Sequence, residues 1–311
     1  MAKVAVIGTG GWGKNHLRVF NELKSLTAFC DTNQEKIKLY EQKYGIRGYV
    51  SIEQLLTKEK IDAVTICTPT ITHSQIAKKC LLSGIDVLVE KPITFTSKES
   101  EELVELAKKT ECILTSGYIE RFNPVVADLK NLIKSRKIGD PILLEFHRES
   151  KWMGNVNDVG IVTDTSVHDI DTARWIFDKE PQMVFARTGQ ILSKNEDFAA
   201  IILGFDSQKT AFIASNWITP KRVRQLTTVC SNGVATINFI TQEIQIDDST
   251  GTTISKKPYK EPLKIELKHF IDCIDHNKEP LISAKDASNV TKIAEAALIS
   301  SKNGAPIYMN L

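Results

Sequence analysis

The stretch that decides the fold lies at the start of the chain and reads Val4-Ala-Val-Ile-Gly8-Thr9-Gly10-Gly11-Trp12-Gly13. Its first four residues are apolar and predict a short buried strand, and the residues from Trp12 to Lys24 predict a helix. The glycines between them follow the pattern G-x-G-x-x-G, which allows a tight turn, close approach of a phosphate to the backbone and close packing of the helix. Because the pattern stands between a strand and a helix, it predicts a dinucleotide-binding loop; a plain glycine turn is the alternative.

Asp31 follows the next predicted strand, about 20 residues after the loop, where a carboxylate can accept hydrogen bonds from a ribose. Such a carboxylate repels the additional 2′-phosphate of NADP, and Thr32 and Asn33 beside it supply no arginine for that phosphate. The sequence therefore predicts NAD as the cofactor. The alternative is that Asp31 only caps the next helix, a role that Thr32 or Asn33 could also fill.

The composition is that of an ordinary globular protein of 311 residues, 42% hydrophobic and 25% charged, which is long enough for two domains. A net charge of +2 provides no strong field for nucleic acid or a membrane surface. The six cysteines are far apart and form no C-x-x-C pair, so we expect buried thiols in a reducing cytoplasm and no metal site. No apolar run approaches the roughly 20 residues that span a bilayer, so neither export nor membrane anchoring is expected.

Strands and helices alternate through the first part of the chain, which predicts an α/β fold: a Rossmann domain with a doubly wound parallel sheet over residues 1–118. Two capping boxes, Ser51 to Gln54 and Thr72 to Gln75, predict helix starts within this domain.

After Pro124 the pattern changes to consecutive strands. Helices are predicted at 124–136, 163–177, 263–276 and 284–302, with one strand at 141–150 and four or five strands between 182 and 247. Strands that follow one another without helices predict antiparallel pairing. Residues 119–311 are therefore predicted to form an α+β domain with a large, mostly antiparallel open sheet.

An open sheet that helices cover on one face leaves its other face exposed. Along the predicted strand near residue 210, the outward set is one of two: Phe212, Ala214, Asn216 and Ile218, or Ala211, Ile213, Ser215 and Trp217. Either set includes large apolar side chains, and a monomer rarely exposes a large apolar surface. We therefore expect a homodimer or homotetramer that forms through this sheet.

A second informative stretch, Asp164-Thr-Ser-Val-His168-Asp-Ile-Asp171, lies in the predicted helix at 163–177. At helical pitch, its i, i+4, i+7 spacing places Asp164, His168 and Asp171 on one stripe. Such a stripe could accept a proton from an alcohol. The plainer interpretation is that Asp164 caps the helix and that His168 is a hydrogen-bonded core residue.

Glu90-Lys91-Pro92 follows a predicted strand, at the edge of the sheet where α/β folds bind ligands. Lys91 is well placed there to reach a substrate oxygen, although a surface lysine is the alternative. Together with the glycine loop, the Cys67-Thr68-Pro69 strand end with His73, and the Asp164-x-x-x-His168 helix, this stretch resembles the glucose–fructose oxidoreductase/inositol dehydrogenase/MocA family. The motifs of that resemblance extend from residue 3 to residue 180, and the remainder resembles the family only in its strand pattern.

Two further runs, Gly117-Tyr-Ile-Glu-Arg121-Phe-Asn123-Pro124 and Asn157-Asp-Val-Gly-Ile-Val-Thr-Asp164, resemble the nucleotide-sugar branch, in particular the UDP-N-acetylglucosamine 3-dehydrogenases. The resemblance implies NAD-dependent oxidation of a ring hydroxyl group to a ketone, with Lys91, Asp164 and His168 at the catalytic positions. It also implies these cofactor-binding residues: Gly8, Thr9, Gly10, Gly11, Trp12, Gly13, Asp31, Thr32, Cys67, Thr68, Pro69, His73, Glu90 and Lys91. Ser166 departs from the family pattern, because many relatives carry glycine two residues before the histidine, and this leaves the start of the helix open.

Oxidation of an alcohol requires a base at the hydroxyl proton while hydride leaves the carbon. His168 fits that requirement. Lys91 would stabilise the developing alkoxide or shuttle the proton, and Asp164 would orient one of the two. Whether Lys91 or His168 accepts the proton stays open.

Substrate contacts are predicted for these three residues and for Glu120, Arg121, Asn123 and Arg148. Arg148 and Lys151 could contact a diphosphate, but solvent-exposed loop positions are the favoured interpretation of both. Two alternative functions stay open. One is a dehydrogenase of another polyol or of a nucleotide uronic acid sugar, and the other, in a different class, is a non-catalytic NAD-sensing protein.

Overall fold

The computed structural model describes residues 1–151, 158–206 and 208–311. Within these ranges the chain forms two compact units. Unit 1 consists of Met1–Tyr118 and Leu263–Thr291, and unit 2 consists of Ile119–Pro262 and Lys292–Leu311. Each unit is built around a sheet of its own.

Unit 1 contains a parallel sheet flanked by helices. Its described strands are β1 Val4–Ile7, β2 Leu26–Cys30, β3 Arg47–Tyr49, β4 Ala63–Ile66, β5 Asp86–Val89 and β6 Leu114–Ser116. The helices between them are α1 Gly13–Glu22, α2 Gln34–Tyr44, α3 Ile52–Lys58, α4 His73–Leu82 and α5 Ser97–Thr110. The strands pair in parallel in the order β3-β2-β1-β4-β5-β6, so the predicted doubly wound sheet is confirmed.

Helix starts in unit 1 agree with the sequence at one capping box and differ at the other. Ser51 caps α3 as predicted, because its hydroxyl oxygen accepts the Gln54 N–H at 3.2 Å. Thr72 does not cap α4; its hydroxyl group donates to the Pro69 carbonyl oxygen at 2.7 Å. The prediction at Thr72 is wrong because a 3₁₀ turn over Thr70–Thr72 precedes α4 and already holds Thr72 in helical backbone geometry.

The elements of the second half of the chain follow in this order. Unit 2 has α6 Pro124–Lys134, β7 Pro141–Glu149, a π-helical turn at Val162–Ser166 and α7 Val167–Phe177. The next strands are β8 Met183–Gly189, β9 Phe198–Asp206, β10 Lys209–Asn216, β11 Val223–Cys230, β12 Gly233–Asn238, β13 Glu243–Asp248 and β14 Gly251–Lys256. The chain closes with α8 Pro262–His276, α9 Ala284–Asn303 and β15 Ile307–Tyr308.

The described strands of unit 2 pair in the order β14-β13-β12-β11-β7-β10-β9-β8-β15. Only β7 and β10 pair in parallel among these described strands, which confirms the prediction of a mostly antiparallel open sheet. Six described strands lie between Met183 and Asp248, more than the four or five predicted. The sequence pattern merges neighbouring strands because some turns are very short: only Ser231 and Asn232 separate β11 from β12.

The two faces of this sheet differ. Ala211, Ile213, Ser215 and Trp217 are buried on the face against which α7 packs, each with at most 5% of its surface exposed. The alternate residues Phe212, Ala214, Asn216 and Ile218 therefore form the outward set, and Ile218 is 40% exposed. Phe198 and Ile202 of β9 are also exposed. The structure thus selects which set faces outward, and oligomerisation through that face stays a prediction.

The cysteines are free thiols, as the sequence predicts: four are buried and two, Cys67 and Cys112, are half-buried. Burial raises the pKa of the Cys67 thiol, so this side chain below the glycine loop stays neutral. Within the described ranges, no helix combines the length and the apolar character needed to cross a membrane.

Candidate active site

The glycine loop joins β1 to α1 and is shaped by two close approaches. Gly8 has a φ of +85°, and a Cβ added there would lie 2.8 Å from the Cys67 carbonyl oxygen. A Cβ at Gly13 would lie 1.9 Å from the Gly8 carbonyl oxygen, so only glycine lets α1 start this close to β1. At Gly10 and Gly11, an added Cβ would meet nothing within 4 Å. The open space beside these two residues fits the pyrophosphate of a dinucleotide.

Asp31 follows β2 and is tied to this loop. Its Oδ2 atom accepts the Thr9 N–H at 2.8 Å and the Thr9 hydroxyl group at 2.6 Å, and its Oδ1 atom accepts the Asn33 N–H at 2.9 Å. Burial acts to raise the pKa of the Asp31 carboxyl group, but the hydrogen bonds from Thr9 and Asn33 outweigh it and lower the pKa. Asp31 is therefore an ionised acceptor beside the loop, with Thr32 exposed next to it.

Glu90 directly follows β5 and is held by its neighbours in unit 1. Its Oε1 atom lies 2.9 Å from His16 Nε2, and because a carboxylate only accepts, the imidazole N–H donates. A Cβ at Gly117 would lie 2.9 Å from the same oxygen, so glycine leaves the room that Glu90 occupies. The Lys91 N–H donates to Glu90 Oε2 at 3.2 Å. This bond fixes the backbone of Lys91. Lys91 is half-buried, and its peptide bond to Pro92 is cis.

His73 connects the ends of two strands in unit 1. Its Nδ1 atom lies 2.8 Å from the Pro92 carbonyl oxygen, and its Nε2 atom lies 2.9 Å from the Thr68 carbonyl oxygen. Carbonyl oxygens only accept, so both contacts are hydrogen bonds at once only when the ring carries two N–H groups and a positive charge. His73 is 1% exposed and holds the Thr68 turn after β4 against the Lys91-Pro92 turn after β5.

In unit 2, the predicted stripe of acidic residues and His168 is divided between two kinds of helix. Asp164 lies in the π-helical turn, whereas His168 and Asp171 lie in α7. Asp164 and His168 are half-buried, but Asp171 is completely buried. The prediction of one regular stripe is wrong, because a π-helical turn closes i→i+5 hydrogen bonds and shifts the positions that precede it. Nor does Asp164 cap α7, since Ser166 is the residue before that helix.

Glu196, from the segment between β8 and β9, closes the start of the π-helical turn. Its Oε1 atom accepts the Val162 N–H at 3.2 Å, and its carbonyl oxygen accepts the Ile161 N–H at 2.9 Å. A Cβ at Gly160 would lie 2.1 Å from the Glu196 carboxylate. The carboxylate can therefore lie this close to the backbone of residue 160 because that residue is glycine. These bonds satisfy N–H groups that a helix start otherwise leaves without partners.

Asp169 and Asp171, the acidic residues of α7, each pair with an arginine. Arg148 donates to Asp169 from Nη2 to Oδ1 at 2.7 Å, and Arg121 donates to Asp171 from Nη2 to Oδ1, also at 2.7 Å. All four side chains are at least 96% buried. Burial raises the pKa of the Asp169 carboxyl group, and the Arg148 charge opposes that rise. The carboxylates of Asp169 and Asp171 therefore form buried ion pairs that anchor α7.

The further predicted substrate contacts belong to the same network. Glu120 accepts a hydrogen bond from Arg148 Nη1 at 3.0 Å and another from Asn123 Nδ2 at 3.0 Å. Glu120, Arg121, Asn123 and Arg148 each expose 6% or less of their surface. The favoured expectation of a solvent-exposed loop for Arg148 is wrong, because Arg148 points to the buried side of β7 and its charge is paired there. Contact of these residues with a substrate stays a prediction.

Lys151 is exposed, in agreement with the interpretation favoured for it. It lines a cavity of about 340 Å³ together with Leu192, Trp217, Ile218 and Pro220. Asn157, the first residue of the run to Asp164 that resembles the nucleotide-sugar branch, lies outside the described residues. Within those residues, no group of three or more His, Cys, Asp or Glu side chains is arranged to hold a metal ion.

Several residues that shape these sites are absent from the sequence predictions. His16, Glu196 and Trp217 are not among the predicted site residues, because their contacts join positions far apart in the chain; Thr165 lies beside Asp164, but its role depends on its contact with Trp217. The one signal for His16 is its position on the first turn of the helix that follows the glycine loop.

The doubly wound sheet, the open glycine loop and the ionised Asp31 define a Rossmann unit that binds a dinucleotide. Residues 2–118 match the family model described as the oxidoreductase family with an NAD-binding Rossmann fold, and residues 126–236 match the GFO/IDH/MocA C-terminal domain. The chain belongs to the GFO/IDH/MocA family of NAD-binding oxidoreductases.

Similar proteins extend over almost the whole chain. The scyllo-inositol 2-dehydrogenase (NAD(+)) of Bacillus subtilis is 27% identical, over 99% of this chain and 96% of the relative. The UDP-N-acetylglucosamine 3-dehydrogenase of Acidithiobacillus ferrooxidans is 23% identical, over 88% of each chain. A crystal structure of an oxidoreductase from Agrobacterium radiobacter with NAD+, L-tartaric acid and magnesium has a TM-score of 0.92 at 21% identity, over 99% of this chain and 98% of that one. This last comparison shows that the two proteins share a fold.

Proposed function

We propose that this oxidoreductase uses NAD to oxidise a ring hydroxyl group of a sugar to a ketone, with the 3-hydroxyl group of UDP-N-acetylglucosamine as the first candidate. The proposal rests on a difference in burial and ion pairing among the polar residues of α7 and of the π-helical turn before it. Asp169 and Asp171 are buried in ion pairs with arginines, whereas Asp164 and His168 remain half-buried. Polar groups that keep part of their surface accessible, on a helix whose other charges are neutralised, are suited to proton transfer.

The proposed chemistry assigns one step to each group. His168 takes the proton from the substrate hydroxyl group, and the proton remains on the imidazole. The Lys91 ammonium group stabilises the negative charge that develops on the oxygen, and Asp164 orients the group that handles the proton. Bound NAD would supply the acceptor for the hydride that leaves the same carbon. Removing a proton and a hydride together leaves the ketone.

The proposed NAD site consists of residues in unit 1. The space beside Gly10 and Gly11 takes the pyrophosphate, and the ionised Asp31 accepts hydrogen bonds from the adenosine ribose. We propose that the cofactor site also includes these residues: Thr9, Trp12, Thr32, Cys67, Thr68, Pro69, His73 and Glu90.

A nucleotide sugar is favoured by the two sequence runs around Arg121 and Asp164 and by the relative from A. ferrooxidans. An inositol is the second candidate, because the relative from B. subtilis is more similar, at 27% identity. The candidates differ in charge, since only the nucleotide sugar brings a diphosphate.

A substrate panel separates these candidates. Purified protein with NAD is offered UDP-N-acetylglucosamine, a UDP-linked uronic acid, myo-inositol and scyllo-inositol, and the initial rate of NADH formation is measured for each. We expect the largest kcat/KM for UDP-N-acetylglucosamine, and mass spectrometry of the product should show the loss of two hydrogen atoms. A larger kcat/KM for either inositol would assign the second candidate. No oxidation of any of the four, with NAD binding retained, would favour the NAD-sensing alternative.

We further propose that the protein is a cytoplasmic homodimer or homotetramer that pairs through the outward residues of β9 and β10. Phe198, Ile202 and Ile218 on that face are each at least 36% exposed. Light scattering at micromolar concentration should give a multiple of the chain mass. Replacing Phe212 with Glu should reduce the measured mass to that of one chain.

A further inference from the structure

Two side chains, Ser215 in β10 and Trp217 directly after that strand, reach the π-helical turn of unit 2. Ser166 Oγ donates a hydrogen bond to Ser215 Oγ at 3.0 Å. Trp217 Nε1 donates a hydrogen bond to Thr165 Oγ1 at 3.2 Å. Ser215 and Trp217 are 2% and 5% exposed; the contact between the two serines is buried, and the contact from Trp217 to Thr165 is half-buried.

The contact from Trp217 continues to Asp164. Thr165 Oγ1 donates to Asp164 Oδ2 at 3.0 Å. The indole N–H can only donate, and a threonine hydroxyl group has a single proton. The direction of both bonds is therefore fixed: Trp217 donates to Thr165, and Thr165 donates to the carboxylate of Asp164.

We propose that Thr165 and Trp217 are positioning residues for Asp164, and this inference rests on the catalytic role proposed for Asp164. The Thr165 hydroxyl group holds the carboxylate in one orientation and favours its ionised form, because a hydrogen bond to a charged acceptor stabilises that charge. Trp217 keeps the Thr165 proton directed at the carboxylate by occupying the threonine oxygen as a donor. Neither residue needs to touch the substrate for this effect.

The contact from Ser215 supplies a matched control. It joins the same strand to the same turn through one buried hydrogen bond, but it ends on Ser166 rather than on Asp164. Removing it tests whether any loosening of the turn is sufficient. Removing the Thr165 hydroxyl group tests the specific connection to the carboxylate.

The experiment compares five single variants of the full-length protein: Thr165→Val, Thr165→Ser, Trp217→Phe, Ser215→Ala and Asp164→Asn. Each is assayed on the sugar of the panel above that wild-type protein oxidises fastest. Thr165→Val should lower kcat about tenfold, the effect of losing a hydrogen bond to a charged group, with KM for NAD unchanged. Thr165→Ser should restore kcat, Trp217→Phe should lower kcat less than Thr165→Val does, and Ser215→Ala should keep the wild-type kcat.

A double-mutant cycle decides whether Thr165 acts through Asp164. Adding Thr165→Val to Asp164→Asn should leave kcat unchanged, because the charge that the hydroxyl group orients is already absent. An equal tenfold loss in that background, or a Thr165→Val variant with the wild-type kcat, would overturn the positioning role alone. Wild-type turnover by Asp164→Asn would instead overturn the proposed function of Asp164. Thermal melting confirms that the variants compared are folded.

Discussion

The glycine loop of unit 1 and the π-helical turn of unit 2 each present groups to a predicted ligand, but they are built differently. The loop depends on close backbone approaches at its glycines, because Gly8 lies against the Cys67 backbone and Gly13 against the Gly8 backbone, where a side chain has no room. The turn takes its shape from partners far along the chain, Glu196 at its start and Trp217 beside it. Backbone-defined sites follow short sequence patterns, whereas sites held by distant side chains do not.

The largest expected effect tests whether both regions serve one reaction. Lys91→Ala in unit 1 and His168→Ala in unit 2 should each lower kcat by about 10²- to 10⁴-fold, the usual cost of losing an acid–base group. The affinity for NAD should stay unchanged, which titration calorimetry measures. Lys58→Ala, at an exposed position of α3, serves as the control. Near-normal turnover in both catalytic variants would overturn the catalytic roles given to Lys91 and His168.

The next effect concerns the distant partners that anchor α7. Arg121→Met removes one partner of the buried Asp171, which keeps an ion pair with Arg174 at 3.8 Å, and should destabilise the protein by up to about 3–5 kcal/mol. Lys108→Met removes an exposed partner of Glu105 and should change stability by no more than about 1 kcal/mol. Urea unfolding measures both. Equal effects of the two substitutions would show that α7 does not depend on its buried pair.

A pair of glycine substitutions compares the two regions directly. In Gly13→Ala the new Cβ meets the Gly8 carbonyl oxygen, which is backbone and must shift, so NAD affinity should fall about tenfold, as an overpacking cost of about 1–3 kcal/mol implies. In Gly160→Ala the new Cβ meets the Glu196 carboxylate, the end of a flexible side chain that can swing away. That variant should lose the cap on Val162, at about 1 kcal/mol, and keep its NAD affinity.

Calorimetric titration with NAD and thermal melting separate the two outcomes. A loss of NAD affinity in Gly160→Ala that matches the loss in Gly13→Ala would remove the distinction between the regions.

The smallest expected effect is on cofactor preference. Asp31→Ser with Thr32→Arg removes a repelling carboxylate and adds a phosphate partner, so the ratio of kcat/KM for NADP to that for NAD should rise by about tenfold or more. NAD affinity should also fall, because Asp31 holds Thr9 of the loop. Thr32→Arg alone is the control and should change the ratio less. Equal affinity of wild-type protein for both cofactors would contradict the role given to Asp31.

The contrast between the two regions also explains how much the sequence could predict. The doubly wound parallel sheet of unit 1 and the bounds of most helices follow from alternation and caps, and the glycine loop follows from a local pattern. β3 carries no such signal, because its three residues are too few to show alternation.

In unit 2 the sequence places Asp164 and His168 on helical structure but cannot reveal the π-helical turn, which partners outside the helix hold in place. Arg148 illustrates the same limit. Its position on a strand is predictable, but its burial depends on Asp169 and Glu120, which lie on other elements.

The π-helical turn also has a genetic consequence. An i→i+5 turn contains one residue more than an α-helical turn, so the gain or loss of a single codon interconverts the two. Such a change would rotate the residues that precede it by about 100° relative to His168, while every recognisable residue of the Asp164-to-His168 run is kept. Two descendants of one ancestor could in this way keep both residues and present them at different angles to their substrates, with a one-residue gap between them in the alignment. An inserted codon here is therefore a more informative evolutionary character than the motif itself.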